Sequence, residues 1–445
     1  MDDGNLHDKG NGADAGFRDI VWIKRWERNF TRSSGTGCGR EPGCYHAPAS
    51  IHGTHAHLVL RVGLNATSLA SPLTGIGNYV VHLGAALAAS GEVSLYSYFA
   101  GEWRAGSPVV PEESASTRLR QQLREAIKPW IPFKRELRQV REQALFRRGA
   151  HRHKIELYHE PNYIPLRTDV PTVTTIHDLS WIRLPGTHPA DRVRWLERAM
   201  PGALEAAGVI LVDSEFTRSE LVSIFAVDPS RVHVAWLGIS RAFRPRTGAE
   251  TASSLGARGL HHGGYVLNVG TLEPRKNVGH LLAAYSALSA ALRRRYPLVI
   301  AGAKGWRASP LERQLRALAR DGQVRFLGPV RDDELAHLYA GAALFVFPSL
   351  YEGFGLPPLE AMASGVPVLV SDRASMPEVV GDAARLLDPE RPERTTGQME
   401  ALLEDMDARE DLAGRGLRRA ATFTWEACAK RTLDAYRHAL QMRGS

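Results

Sequence analysis

The sequence predicts an α/β protein built from two doubly wound parallel sheets. Three observations carry this. Short apolar runs rich in β-branched residues alternate with longer Ala/Leu/Arg-rich stretches of helical spacing; the alternation breaks once near mid-chain; it then restarts with the same grammar. Near-continuous apolar strands flanked by helices belong to sheets covered on both faces, and such sheets bind ligands at the carboxyl ends of their strands.

Residues 1–56 are rich in Gly, Ser and His without sustained periodicity, which predicts a disordered tail. Cys38, Cys44 and the four histidines after them lack finger spacing, so no metal site is expected there. From residue 57 to 240 the runs LVLRVGLNA, VSLYSYFA, IELYHE, PTVTTIHD and GVILVDS predict the strands of a first, acceptor-side domain. A polar, Arg- and Gly-rich interval at 241–264 is expected to be the linker. Residues 265–420 then supply YVLNVG, PLVIAG, QVRFLGP, ALFVFPS, PVLVSD and ARLLDP, the strands of a second, ligand-binding domain. Within the last segment, 421–445, an amphipathic helix is long enough to pack back on the first domain.

With 445 residues, 44% of them hydrophobic and 23% charged, the chain has core enough for two or three domains. No run approaches the roughly 20 apolar residues that span a bilayer, and the start MDDGNLHDKG lacks the pattern of a secretory signal. Three cysteines with no C-x-x-C pair fit a reducing compartment, so the cytoplasm is the expected address. Between residues 118 and 154 twelve bases face three acids, more than the whole net charge of +8, with Trp130, Ile131 and Phe133 among them. That mixture suits either an anionic membrane surface or a solvated helix face.

The richest motif is SLYEGFGLPPLEAMASG, residues 349–365, which follows an apolar strand and opens a helix. Pro357 and Pro358 suit a first helical turn, and Gly365 suits a helix end. The amides of Gly353, Phe354, Gly355 and Leu356 then point forward from a helix N-terminus, which is a ready anion site. Glu352 and Glu360 flank that cradle, and carboxylates beside a phosphate need another partner. Vicinal hydroxyls of a sugar or ribose provide one, so the motif points to a sugar nucleotide. VGTLEPRKN, residues 269–277, places Arg275 and Lys276 at a second strand end, where they would neutralise a leaving diphosphate. In the first half, Gly75 and Gly77 would allow close backbone approach to a ligand, and His177 with Asp178 stands at a strand end. Asp405 and Asp407 form a D-x-D inside an acidic helical stretch, which reads as a solvated face and no metal site.

Together TGIGNY, IHDL, VDSEFTRSEL, VGTLEPRKN and EGFGLPPLEAMASG resemble glycosyltransferase family four, the retaining GT-B enzymes, over about residues 58 to 440. The resemblance implies two Rossmann-like domains facing a cleft. It implies that Glu352 holds the donor sugar's hydroxyls, Glu360 the ribose and Arg275 with Lys276 the diphosphate. Gly77 would offer an amide near the β-phosphate and His177 would contact the sugar. Thr271 stands where several relatives carry a further phosphate-binding Arg, which shifts weight onto Lys276. Retention is also implied, and with no evident nucleophilic acid in these loops the expectation is front-face substitution without metal or other cofactor. TGIGNY, HDLSW and GTLEPRKN look most like bacterial mannosyl- and rhamnosyltransferases that use GDP-sugars for O-antigen or capsule. The expected partners are a nucleotide-diphosphate sugar and a glycan acceptor, with a polyprenyl-diphosphate carrier on the inner membrane face suiting the basic segment. No nucleic-acid partner is expected. A sugar-nucleotide epimerase of related plan and a non-catalytic basic scaffold are the alternatives. The missing G-x-x-x-x-G-K-[ST], post-strand G-x-G-x-x-G and G-x-S-x-G loops disfavour kinase, dehydrogenase and hydrolase readings.

Overall fold

Alternating strand and helix place every conspicuous loop at the same kind of position, a strand's carboxyl end. The computed structural model describes residues 59–70, 75–110, 134–305 and 322–444, with Leu311, Leu315, Leu318 and Ala319 from the interval between. Residues 134–139 and 444 are described by their backbone only. All belong to one compact unit. The predicted tail, the start of the TGIGNY loop and the basic stretch 118–133 lie outside the described residues.

The first sheet holds β1 (Leu60–Asn65), β2 (Val93–Phe99), β3 (Glu102–Ala105), β4 (Leu157–Glu160), β5 (Thr172–Ile176), β6 (Val209–Val212) and β7 (Val232–Val234) in the order β3-β2-β1-β4-β5-β6-β7. Every pairing is parallel except β2 with β3. The second sheet holds β8 (Val266–Val269), β9 (Leu298–Ala301), β10 (Val324–Gly328), β11 (Leu344–Phe347), β12 (Val368–Ser371) and β13 (Arg385–Leu387), all parallel, in the order β10-β9-β8-β11-β12-β13. In each sheet the direction of winding reverses beside the first strand, between β1 and β4 and between β8 and β11. That reversal opens a crevice at the carboxyl ends, where doubly wound sheets take their ligands.

Six helices matter for the site and its supports: α1 (Gly75–Ala89), α2 (Lys134–Arg152), α3 (Glu215–Phe225), α4 (Leu356–Ala363), α5 (Met406–Ala420) and α6 (Trp425–Gly444). β6, β8, β9, β11 and β12 are buried along their whole length, which explains their near-continuous apolar runs; β4 and β5 are buried as fully but carry polar side chains. β3 and β7 are not among the strands the sequence predicts. β3 is an exposed edge without alternation and β7 has only three residues, so neither has a hydrophobic signature. The 241–264 interval, expected as plain linker, carries a helix at Gly248–Gly256. Thr247 and Glu250 form a reciprocal capping box at its start.

α6 runs back along the first sheet. Its Tyr436 hydroxyl meets Nδ1 of the buried His159 at 2.8 Å, while Nε2 of that ring meets Thr175 Oγ1 at 2.7 Å. Burial pushes His159 down to about 3, so the ring is neutral, and neighbouring His177 adds to the effect. Asp405 caps α5 by accepting from the Ala408 amide, and Asp407 sits in that first turn, a helix-start role for the D-x-D. Among the described residues no cluster of three or more potential metal ligands occurs, and no helix is long and apolar enough to cross a membrane.

Candidate active site

The loops after β8 and β11 flank the reversal point of the second sheet and are bound to each other. The Leu350 amide donates to the Arg275 carbonyl at 2.9 Å, and Ser349 Oγ reaches the same oxygen at 3.2 Å. Glu352, 8% exposed, is the hub. Its Oε1 accepts from Lys276 Nζ at 2.6 Å and Ser349 Oγ at 2.6 Å, and its Oε2 accepts from an Arg275 terminal nitrogen at 2.8 Å. Burial would raise this carboxyl, but the Arg275 and Lys276 charges outweigh it and hold Glu352 at about 2.

Arg275 is more committed than the sequence suggests. One terminal nitrogen binds Glu352 and the Tyr351 carbonyl (2.6 Å), and the other binds the buried Glu273 at 2.7 Å. Only its buried Nε lacks a partner. Among the described residues the Lys276 ammonium has a single hydrogen-bonded partner, Glu352, and it rests over the Phe347 ring at 5.2 Å. An ammonium on a flexible stem can swing toward a phosphate; a guanidinium fastened at both ends orients its partners instead.

The glycines of the cradle are required by close approach. Gly355 is the N-cap of α4 at φ +119°, and a Cβ there would run into the Met376 side chain. A Cβ on Gly353 would collide with the His177 carbonyl oxygen, so the cradle of the second half touches the β5 loop of the first. Phe354 is buried edge-on against Phe423, with ring centroids 5.7 Å apart, and Leu356 opens α4. Pro357 and Pro358 occupy the first turn and cost no helical hydrogen bond there. Glu360, one turn into α4, accepts from the Tyr339 hydroxyl at 2.9 Å. Among the described residues no cation is bonded to it, and burial raises its carboxyl to about 7.

Gly75 and Gly77 fall in the first turn of α1, whose leading amides lack partners inside the helix. His177 behaves differently from a side chain free to meet a sugar. Nδ1 lies 2.7 Å from Asp213 Oδ2, and Nε2 lies 2.8 Å from the Pro161 carbonyl. The Pro161 carbonyl can only accept, so Nε2 carries a proton, and an ionised Asp213 facing Nδ1 favours the charged ring. Burial opposes the charge, yet Asp213 overrides it and raises the ring's pKa. It is the His177 carbonyl that closely approaches Gly353 of the second half. Asp178 lies under the field of Arg275, which offsets its burial and lowers its carboxyl.

The structure thus gathers Glu352, Arg275, Lys276, Gly353, Phe354, Gly355 and Leu356 at one crevice, with His177 on its opposite wall and Glu360 a turn along α4. Asp213, Glu273, Ser349 and Tyr339 complete it without having been marked in the sequence. Asp213, in VDS directly after β6, is the one whose strand-end position could have revealed it.

Two parallel sheets with strand-end loops meeting across a crevice define the GT-B class of glycosyltransferases. Solved structures agree on the fold. The sucrose-phosphate synthase of Thermosynechococcus elongatus superposes with a TM-score of 0.64 at 20% identity, covering 87% of this chain and 100% of that one. WaaG, a glycosyltransferase involved in lipopolysaccharide biosynthesis, superposes at 0.63 and 16% identity, covering 84% and 99%. Residues 73–243 match the family described as Glycosyltransferase Family 4, and residues 261–419 match Glycosyl transferases group 1. The O-antigen chain mannosyltransferase B of Escherichia coli is 40% identical over 373 residues, 82% of this chain and 96% of that protein. The MMP alpha-(1->4)-mannosyltransferase of Mycolicibacterium hassiacum is 32% identical over 237 residues, 52% of this chain and 54% of that one. The chain belongs to glycosyltransferase family 4.

Proposed function

We propose that this protein transfers mannose from GDP-mannose to a glycan acceptor in the synthesis of a cell-surface polysaccharide of the O-antigen type. The supporting observation for the transfer site is the Glu352 hub: an ionised carboxylate, held by Lys276 and Arg275, beside the open amides of α4. Similarity over nearly the full length of the E. coli O-antigen mannosyltransferase supports the sugar and the product class. In this reading the diphosphate lies at the amides of Gly353 to Leu356, Glu352 accepts from hydroxyls of the sugar, and Glu360 accepts from the ribose. Amides at the start of α1 add donors to the phosphates from the other wall. Lys276 turns from Glu352 toward the diphosphate as charge develops on the leaving oxygen, while Arg275 keeps Glu352 in place. His177 and Asp213 fix the facing loop.

Transfer proceeds on one face of the sugar. The bond from the anomeric carbon to the diphosphate oxygen lengthens, the acceptor hydroxyl approaches from that same face, and its proton passes to the leaving oxygen. Configuration is retained. Lys276 and the helix amides supply the positive potential that a metal ion supplies elsewhere, so activity should persist in EDTA. Loss of one such electrostatic donor slows turnover by about a hundredfold to a thousandfold. Lys276→Ala should show that loss in a mannose-transfer assay; unchanged turnover would remove Lys276 from the mechanism.

The acceptor in this reading is carried on a polyprenyl diphosphate at the inner membrane face. The support is α2, where Arg141, Arg148 and Arg152 are exposed beside Val140 (69% exposed), while Phe146 and Ala150 are buried on the other side. Replacing those three arginines with Gln should reduce sedimentation with vesicles containing anionic lipid and leave donor binding unchanged.

A further inference from the structure

Helix α3 begins at Glu215, and its first amides need partners from outside the helix. They find them in the other half of the molecule. The Glu215 amide donates to Glu378 Oε1 and the Phe216 amide to Glu378 Oε2, each at 2.9 Å, while the Trp236 indole N–H donates to Oε1 at 3.0 Å. Glu378 follows β12 in the second half, and the Arg419 guanidinium fastens its backbone by donating to the Glu378 carbonyl at 2.7 Å and the Val379 carbonyl at 2.9 Å. A carboxylate at a helix N-terminus is favoured by charge as well as by hydrogen bonding.

The segment this carboxylate grips is short and carries two other jobs. Asp213 holds the His177 ring. Ser214 Oγ at 2.6 Å and Thr217 Oγ1 at 3.2 Å reach the Gly353 carbonyl, the first peptide of the cradle. Residues 213–217 therefore join the facing loop of the first half to the cradle of the second, and Glu378 is what clamps them.

We propose that Glu378 is a positioning residue for sugar transfer. It sets the 213–217 segment against Gly353, and so sets the first half's wall at the right distance from the donor. The proposal rests on the reading of the Gly353 loop as the donor cradle. In that reading most contacts to the nucleoside diphosphate come from the second half, and the α1 amides that join them lie outside the 213–217 segment, so its affinity does not depend on Glu378. Transfer does, because a misplacement near 1 Å can cost about a hundredfold in rate.

An amide cannot replace the carboxylate, since three N–H donors face its two oxygens and one end of Gln is itself a donor. The test compares Glu378→Gln, Trp236→Phe and Glu360→Ala, measuring GDP affinity by calorimetry, kcat and KM for transfer, and Tm. Glu378→Gln should lower kcat by about thirtyfold to a hundredfold with GDP affinity unchanged. Trp236→Phe, which removes one donor and leaves the backbone pair, should move kcat the same way by a smaller factor. Wild-type kcat in Glu378→Gln overturns the proposal. So does a fall in kcat that tracks loss of GDP affinity or of folded protein. If Glu360→Ala leaves GDP affinity unchanged, the donor-site reading itself fails, whatever Glu378→Gln does.

Discussion

Glu352 and Glu360 stand eight positions apart in one motif, yet the fold puts them in opposite electrostatic states. Glu352 precedes the helix and meets two cations that reach over from the β8 loop, so it is held at about 2. Glu360 lies inside the helix, with a tyrosine hydroxyl for company, and is raised to about 7. What differs is the element each residue faces: the loop after β8 for Glu352, and for Glu360 the helix Asp332–Ala340 that carries Tyr339. A carboxylate locked in its charged form is suited to fixed recognition of sugar hydroxyls next to the reacting carbon. One poised near neutrality gains its charge as it binds.

The largest expected effect comes from breaking the ionised partner. Glu352→Gln leaves Arg275 and Lys276 buried without their shared counter-ion, and breaking a buried pair from one side costs about 3–5 kcal/mol. Calorimetric melting should show a lower Tm together with near-complete loss of transfer. The two carboxyls should also differ in the sign of their pH dependence. Glu352, with its folded value depressed, contributes stability that is present above the ordinary Glu value of 4.5 and is lost as pH falls toward 2. Glu360, with its folded value raised, contributes stability that is complete below 4.5 and is lost as pH rises through about 7. Glu360→Gln should therefore gain on the wild type in Tm as pH rises from 5 to 8, whereas Glu352→Gln should lose on it as pH rises from about 2 to 4.5 and run parallel to it above that.

The next effect is on donor binding. Losing the hydrogen bonds from ribose to a charged acceptor should raise the donor KM of Glu360→Gln on the order of tenfold with little change in kcat. In the wild type, donor affinity should rise between pH 6 and 8 as Glu360 ionises, and that slope should vanish in the variant. Smallest is Tyr339→Phe, which removes the hydroxyl that favours ionised Glu360. It should raise donor KM about threefold near pH 7 and be largely restored at pH 8. An equal effect at both pH values would mean Tyr339 acts by packing.

Much of this contrast was invisible in the sequence, although its parts were not. The two-sheet plan was legible because β6, β8, β9, β11 and β12 are buried throughout and so read as near-continuous apolar runs. β3 and β7 were not, being a short exposed edge and a three-residue strand. The E-x7-E spacing, the glycine cradle and the Arg275–Lys276 pair announced a phosphate and sugar site. Sequence could not show that Arg275 spends its terminal nitrogens on Glu273, Glu352 and a carbonyl, since those partners come from the folding of a separate loop. His177 was marked by its strand-end position, but its two partners come from the loops after β6 and β4, so the anchoring of its ring needed the fold. Nothing in the sequence singles out Glu378; only the meeting of the two halves shows what it holds.

In the reading proposed above, the crevice at the β8 and β11 loops binds a nucleotide sugar. The most direct test of that reading is calorimetric titration of the purified protein in EDTA with GDP-mannose, UDP-glucose, GDP and UDP, beside a Glu360→Ala Lys276→Ala double variant. The account predicts saturable binding of GDP-mannose and GDP, weak or no binding of the uridine ligands, and loss of binding in the variant. Binding of GDP-mannose that survives in the double variant, or that requires added metal, would contradict it.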